Sequence, residues 1–317
     1  MFYNDYLQQM NAFSKTVKGQ NKIDYTRYNN FAGITTKFFN EIDQVERTMD
    51  AAELKKLQDQ FRADSDAAFA DSYMLTRARK WFRGYPGDFE TLEAIYKGAP
   101  QSNDGIGLYM DTYFMKRHLA RGVRDRKDFL RDYLVNELSQ REKGQKILNI
   151  ACGSCRELYD MASTLNEQQA QITCTDSDAD ALTYSEDILF RRDLQQLPKF
   201  VKHNAIKFIS AEKTMDMFGK QDIIYSAGLF DYLNDEILIR IFGSLYNLLE
   251  EGGVFIAPFK DKRFYNKADY HWLANWSAFY QRVPQDVSDL FAKAGLPVPE
   301  IIETSNPAIK TFVIRKK

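Results

Sequence analysis

At 317 residues, with a formal net charge of -1, 44% hydrophobic and 27% charged residues, the chain is long enough for two domains and carries no excess of either sign. That balance argues against strong nonspecific attraction to nucleic acid or to an anionic membrane surface. No apolar run reaches the roughly 18 residues of a membrane-spanning helix, and Met1 to Asp5 lack the basic and apolar blocks of a secretory signal, so the expected location is cytoplasmic.

The first 143 residues have a helical texture. Glycine and proline are almost absent before Gly84, and apolar residues recur at helical spacing through Ile23 to Met49 and Ala51 to Phe69. Residues 1-143 are therefore predicted to form an all-helical N-terminal domain, a lid or substrate cap, and residues 144-317 a cofactor-binding domain. Within the helical part, Arg83-Gly-Tyr-Pro-Gly-Asp88 breaks the pattern while carrying a cation, a phenol and a carboxylate within six residues. Loops of this composition often carry function. The competing structural reading is a turn pinned by Tyr85 and capped by Asp88. Lys116 to Arg131 holds seven Lys/Arg against two Asp, with Leu130, Tyr133, Leu134 and Leu138 as an apolar stripe, and is expected to be a helix whose other side is solvated.

Lys146 to Leu158 organises the second half. Ile147 to Ala151 suit a buried parallel strand, Gly153 supplies a sharp bend, and Ser154 with Glu157 fits a capping box for a helix beginning at about Cys155. Such a strand-turn-helix unit aims backbone N–H groups at a ligand in the crevice beyond the strand ends. The dinucleotide fingerprint would need three glycines where Ala151, Gly153 and Arg156 stand, so NAD and FAD are not expected. Cys152 and Cys155 satisfy C-x-x-C, yet no second pair is available to complete a zinc site, and neither a metal nor a thioredoxin-like role is expected.

Gln171 to Asp176 forms a second strand ending in a carboxylate that can accept ribose hydroxyls, and the amphipathic segment Asp178 to Arg191 follows as a helix. Ala205 to Ser210 is predicted as a third strand and Asp222 to Ser226 as a fourth, with Ala227 to Leu233 as its exit loop. A helix from about Asn234 to Glu250, a strand Val254 to Pro258, helical segments to Ala294, and strands near Glu300 to Glu303 and Ile309 to Ile314 complete the chain. Trp272, Trp276 and Tyr280 fall at i, i+4 and i+8, one face of a helix, as core packing or as an apolar wall for an acyl chain.

Asn149-Ile-Ala151-Cys-Gly153-Ser-Cys155 resembles the first motif of the class I S-adenosylmethionine-dependent methyltransferases, an acid followed by alternate glycines. Asn149 replaces the acid, Ala151 the first glycine and Cys155 the last. The resemblance implies an α/β, Rossmann-like seven-stranded sheet and S-adenosylmethionine as cofactor, with S-adenosylhomocysteine as product. It places Asn149, Ala151, Cys152, Gly153, Asp176, Ser177, Ser210, Ala211, Ser226 and Gly228 around the cofactor. With Tyr73, Trp81, Arg83 to Asp88, Glu90 to Tyr96, Arg156-Glu157 and Gly228 to Tyr232, the chain from about Tyr73 to Tyr280 also resembles bacterial enzymes making a 3-hydroxy fatty acid methyl ester signal.

Methyl transfer from a sulfonium chiefly requires contact geometry and exclusion of water. A carboxylate acceptor needs only an orienting cation, for which Arg83 is available, whereas a hydroxyl or amine needs a base, for which Tyr85, Asp88 and Asp231 are available. The expected acceptor is a small molecule, with a fatty or hydroxy acid carboxylate as the candidate. A protein-modifying methyltransferase and a non-catalytic cofactor-binding regulator are the alternatives. The exit loop lacks the Asn/Asp-Pro-Pro-aromatic motif of base-amine methylation, no nucleic-acid partner is expected, and His118, His203 and His271 show no ligand spacing.

Overall fold

The computed structural model describes residues 1–317. The chain forms two compact units: Met1–Ala120 with Asn266–Ala278, and Arg121–Tyr265 with Phe279–Lys317. No helix is long and apolar enough to cross a membrane.

The first unit contains α1 (Asn4–Val17), α2 (Tyr25–Glu46), α3 (Ala51–Phe69), α4 (Tyr73–Lys80), α5 (Phe89–Lys97) and α6 (Gly105–Lys116). Asp24 and Asp50 start α2 and α3 by accepting backbone N–H groups at 2.8 Å, which fixes two of the predicted helices at near their expected positions. An aromatic core joins them: Tyr6 stacks on Phe38 at 4.1 Å, and Phe61 meets Tyr3 edge-on at 5.2 Å. The chain returns to this unit far downstream, through the π-helical turn Ala268–Leu273. Trp272 is fully buried there against Phe2 and Phe61, and its indole donates to Glu46 at 2.9 Å. Asp269 accepts from Tyr113 Oη at 3.0 Å and Arg117 Nε at 2.7 Å.

The predicted aromatic stripe is thereby corrected. The helical turn ends at Leu273, and Ala274 is extended. Trp272 is a core residue of the helical unit, whereas Tyr280 is 47% exposed in the other unit. Trp272→Ala should lower the unfolding free energy by about 3–5 kcal/mol, since it empties a packed aromatic site; chemical denaturation with an unchanged m-value checks this.

The second unit opens with α7 (His118–Ser139), followed by β1 (Lys146–Ile150), α8 (Arg156–Asp160), α9 (Ala162–Gln168), β2 (Gln171–Asp176), α10 (Ala179–Phe190) and β3 (Lys199–Lys202). It continues with α11 (Ala211–Phe218), β4 (Gln221–Tyr225), α12 (Asp235–Leu248), β5 (Leu249–Lys260), α13 (Pro284–Lys293), β6 (Glu300–Glu303) and β7 (Ile309–Arg315). The seven strands form one sheet in the order β3-β2-β1-β4-β5-β7-β6, parallel from β3 to β5, with β7 antiparallel to both its neighbours. Strand order reverses beside β1, so the crevice beyond β1 and β4 is the topological switch point at which open α/β sheets bind ligands.

Alternation along the strands sends residues to two cores. Leu148, Ile150, Ile224, Phe255 and Phe312 pack under α12 and α13, while Ile147, Ile223, Val254 and Val313 pack under Leu130, Leu134 and Leu138 of α7. Helix α7 therefore covers the sheet, and the compact units divide near residue 120 rather than at the 143/144 boundary predicted from texture. The third strand is Lys199–Lys202, not Ala205 to Ser210. Asn204 accepts from Ile206 N at 2.9 Å and starts a 3-10 turn over Ala205–Ile209 that buries Phe208.

Candidate active site

The turn after β1 is built from alternating backbone handedness. Ala151, Gly153 and Cys155 have φ of 52°, 55° and 48°, while Cys152 and Ser154 between them do not enter the left-handed region. Alternation of this kind curls successive N–H groups into a concavity that accepts anionic or polar ligand atoms. The motif thus keeps its backbone geometry at two positions where alanine and cysteine replace glycine. The predicted capping box does not form. Helix α8 begins at Arg156, Cys155 occupies the N-cap position without a side-chain bond, and Glu157 points instead to β1 and β4. Its carboxyl accepts from Asn149 Nδ2 at 3.0 Å and Tyr225 Oη at 2.8 Å, and burial pushes it up to about 7.

Asp176 ends β2 beside this turn. Its Oδ2 accepts from Gly153 N at 3.0 Å and its Oδ1 from Asp178 N at 2.9 Å, while Asp178 itself caps α10. Asp176 is therefore not the helix cap. Each oxygen keeps a lone pair for a further donor such as a ribose hydroxyl. Burial raises its pKa.

Ser226 and Gly228 lie on the exit loop of β4. Strand pairing sets Asn149 beside Tyr225, which brings this loop next to the β1 turn. Ser226 is fully buried, and neither its Oγ nor Asn149 Oδ1 has a hydrogen-bond partner. Arg126 of α7 lies against the same loop: a Cβ at position 228 would sit 2.7 Å from its Nη1 and 2.9 Å from its Nη2, so only glycine leaves room for the guanidinium. Arg126 is 4% exposed, its Nε has no partner, and no carboxylate pairs with it. A buried cation left without an anion is costly, and its usual justification is a ligand. The sequence reading placed Arg126 on a solvated helix face and missed it. The Leu130, Leu134 and Leu138 stripe could have signalled it, since position 126 continues that stripe one turn earlier.

Other predicted residues are committed elsewhere. Asp231 is 1% exposed and accepts from Lys260 Nζ at 2.6 Å and Lys260 N at 3.0 Å, which leaves it poorly placed as a base. Asp88 is 2% exposed, accepts from Arg77 Nη2 at 2.7 Å, and caps α5 through Thr91 N at 3.0 Å. This is the turn-and-cap reading of the Arg83 loop. Asp88→Ala should lower stability by roughly 3 kcal/mol, because Arg77 and the helix N-terminus both lose a partner. Thermal unfolding should shift while cofactor affinity of the folded variant stays unchanged.

Arg83 packs over the Phe89 ring at 4.6 Å and approaches Glu90 at 3.8 Å, and Tyr85 is 37% exposed. Ser177 is exposed beyond β2. Ser210 and Ala211 begin α11, one 3-10 turn removed from the strand they were predicted to follow.

Comparison with known proteins decides the family. Residues 34–260, more than two thirds of the chain, match the family described as "Putative methyltransferase". The chain belongs to this methyltransferase family. The unpartnered Asn149 Oδ1 and Ser226 Oγ, the Gly153 turn and the Asp176 carboxylate fit the amino-acid and ribose ends of S-adenosylmethionine, the methyl donor expected from the motif. When bound, the cofactor would supply the electrophilic methyl group, and these residues would hold it. No curated protein matches the chain.

Among solved structures, a possible exported protein from Bordetella parapertussis is similar over 98% of this chain and 94% of its own, at 13% identity and a TM-score of 0.61, which shows a shared fold. Magnesium protoporphyrin IX methyltransferase from Synechocystis with bound SAH is similar over 63% of this chain and 87% of its own, at 12% identity and a TM-score of 0.47.

Proposed function

We propose that this methyltransferase acts on the carboxylate of a small molecule, a fatty or hydroxy acid being the chemistry that suits it. The observation that carries this reading is the commitment of both candidate acidic bases, Asp231 to Lys260 and Asp88 to Arg77. A hydroxyl or amine acceptor must lose a proton during transfer, whereas a carboxylate is already ionised at neutral pH and needs only orientation. The unpaired guanidinium of Arg126 supports that requirement beside the β4 exit loop. Arg83 is a second proposed carboxylate-orienting cation. If it has that role, Arg83→Lys impairs turnover more than cofactor binding, because an ammonium does not reproduce the bidentate fork.

Cell extracts supplied with the enzyme and a radiolabelled methyl donor test the reading. Label should enter the organic-soluble fraction in a product that releases volatile methanol under mild base, as esters do. Label retained in protein would replace it with a protein-modifying activity, and absence of transfer would favour a cofactor-binding regulator.

A further inference from the structure

Cys152, Cys155 and Cys174 come from two separate segments, the β1 turn and the middle of β2, and their three sulfur atoms all lie within 4.8 Å of one another. Strand register brings them together. Cys174 pairs with Asn149, and the left-handed backbone at Cys155 accompanies a side chain whose Sγ lies 3.6 Å from that of Cys174. Cys155 and Cys174 are fully buried and Cys152 is 5% exposed, so Cys152 is the edge from which the cluster is reached. Asn149 Nδ2 stands 4.0 Å from Cys155 Sγ, a donor that can support a thiolate.

We propose that these three cysteines form a binding site for a soft, thiophilic d10 metal ion of the Cd(II), Zn(II) or Cu(I) class. A triangle of ~4 Å sides has its centre ~2.3 Å from each corner, which is the length of a zinc–thiolate bond. Thiolate ligands select soft ions over magnesium or calcium, and a divalent ion reduces the charge of three thiolates from -3 to -1, which suits a buried position better than the free thiolates would. Binding converts three thiols to thiolates and releases their protons to solvent. No oxidation is involved. The sequence alone could not suggest the site, since Cys174 is separated from the C-x-x-C pair by most of a β-α-β unit.

Cys152 and Cys155 bracket Gly153, so an ion that ties both to β2 also constrains the turn on which the cofactor sits. This second part rests on the cofactor assignment, whereas the metal site does not. The proposed coupling is inhibitory, because a divalent ion on three thiolates carries a net charge of -1 where the free thiols carry none, beside a turn whose N–H groups suit anionic or polar ligand atoms.

The test titrates the reduced full-length protein with Cd(II) and follows thiolate-to-metal charge-transfer absorbance and proton release at neutral pH. One ion per chain, about three protons released per ion, and loss of most of the absorbance in Cys174→Ala are expected. Release of one proton or fewer from the unmodified protein, or an absorbance unaffected by Cys174→Ala, overturns the site; the proton count needs no variant and so stands even if Cys174→Ala fails to fold. S-adenosylhomocysteine affinity should fall roughly tenfold in the Cd(II)-loaded protein, about 1.4 kcal/mol of coupling. Unchanged affinity with a full proton count overturns the coupling and leaves the metal site.

Discussion

Gly153→Val is expected to abolish S-adenosylhomocysteine binding without unfolding the sheet. Position 153 has φ of 55°, a conformation in which a β-branched residue is a genuine outlier, and its N–H is the donor that orients Asp176. Valine would force the turn out of its alternating geometry and fill the space a cofactor must approach. Asp176→Ala should act more mildly, weakening binding by about 1–3 kcal/mol, the scale of hydrogen bonds to a charged group. Calorimetry on both variants, with circular dichroism to confirm retained structure, checks the pair. A Gly153→Val protein that binds with native affinity would remove the turn from the site.

Arg126→Met should lower kcat/KM by roughly 10- to 150-fold, corresponding to the ~1.5–3 kcal/mol of a charge-assisted hydrogen bond. The same change should leave stability equal or higher, because methionine fills similar volume without the desolvation penalty of an unpaired buried cation. A structural arginine would behave in the opposite way, losing stability first. Gly228→Ala provides an independent approach: its Cβ would press within 3.0 Å of the guanidinium and displace it without altering its charge. Both variants should therefore show depressed turnover with thermal midpoints near that of the parent. If kcat/KM is unaffected in either folded variant, a carboxylate at Arg126 is not part of the reaction.

Much of the cofactor half was legible because its signals are local. A branched apolar run, one glycine and a carboxylate at the next strand end identify β1, the turn and β2 whatever surrounds them. Helices α10 and α12 lie in the segments predicted from Asp178 and Asn234, and in the structure both of these residues cap them. Illegible features depend on distant partners. Glu157 has the spacing of a capping box but is drawn to Asn149 and Tyr225, which strand pairing brings to it. Trp272 and Trp276 share helical spacing without sharing a helix, since the segment closes as one π turn within the other unit. Asp88 and Asp231 look like bases until Arg77 and Lys260 are seen against them. Arg126 is hidden in a basic run, and only packing distinguishes its buried guanidinium from the solvated charges around it.

The central claim is that this methyltransferase uses S-adenosylmethionine at the turn between β1 and α8. Isothermal calorimetry of the unmodified protein tests it most directly, titrating S-adenosylhomocysteine and, separately, NAD. Saturable binding of S-adenosylhomocysteine at one site per chain, with no heat from NAD, is the predicted result; binding of NAD with no response to S-adenosylhomocysteine would contradict it.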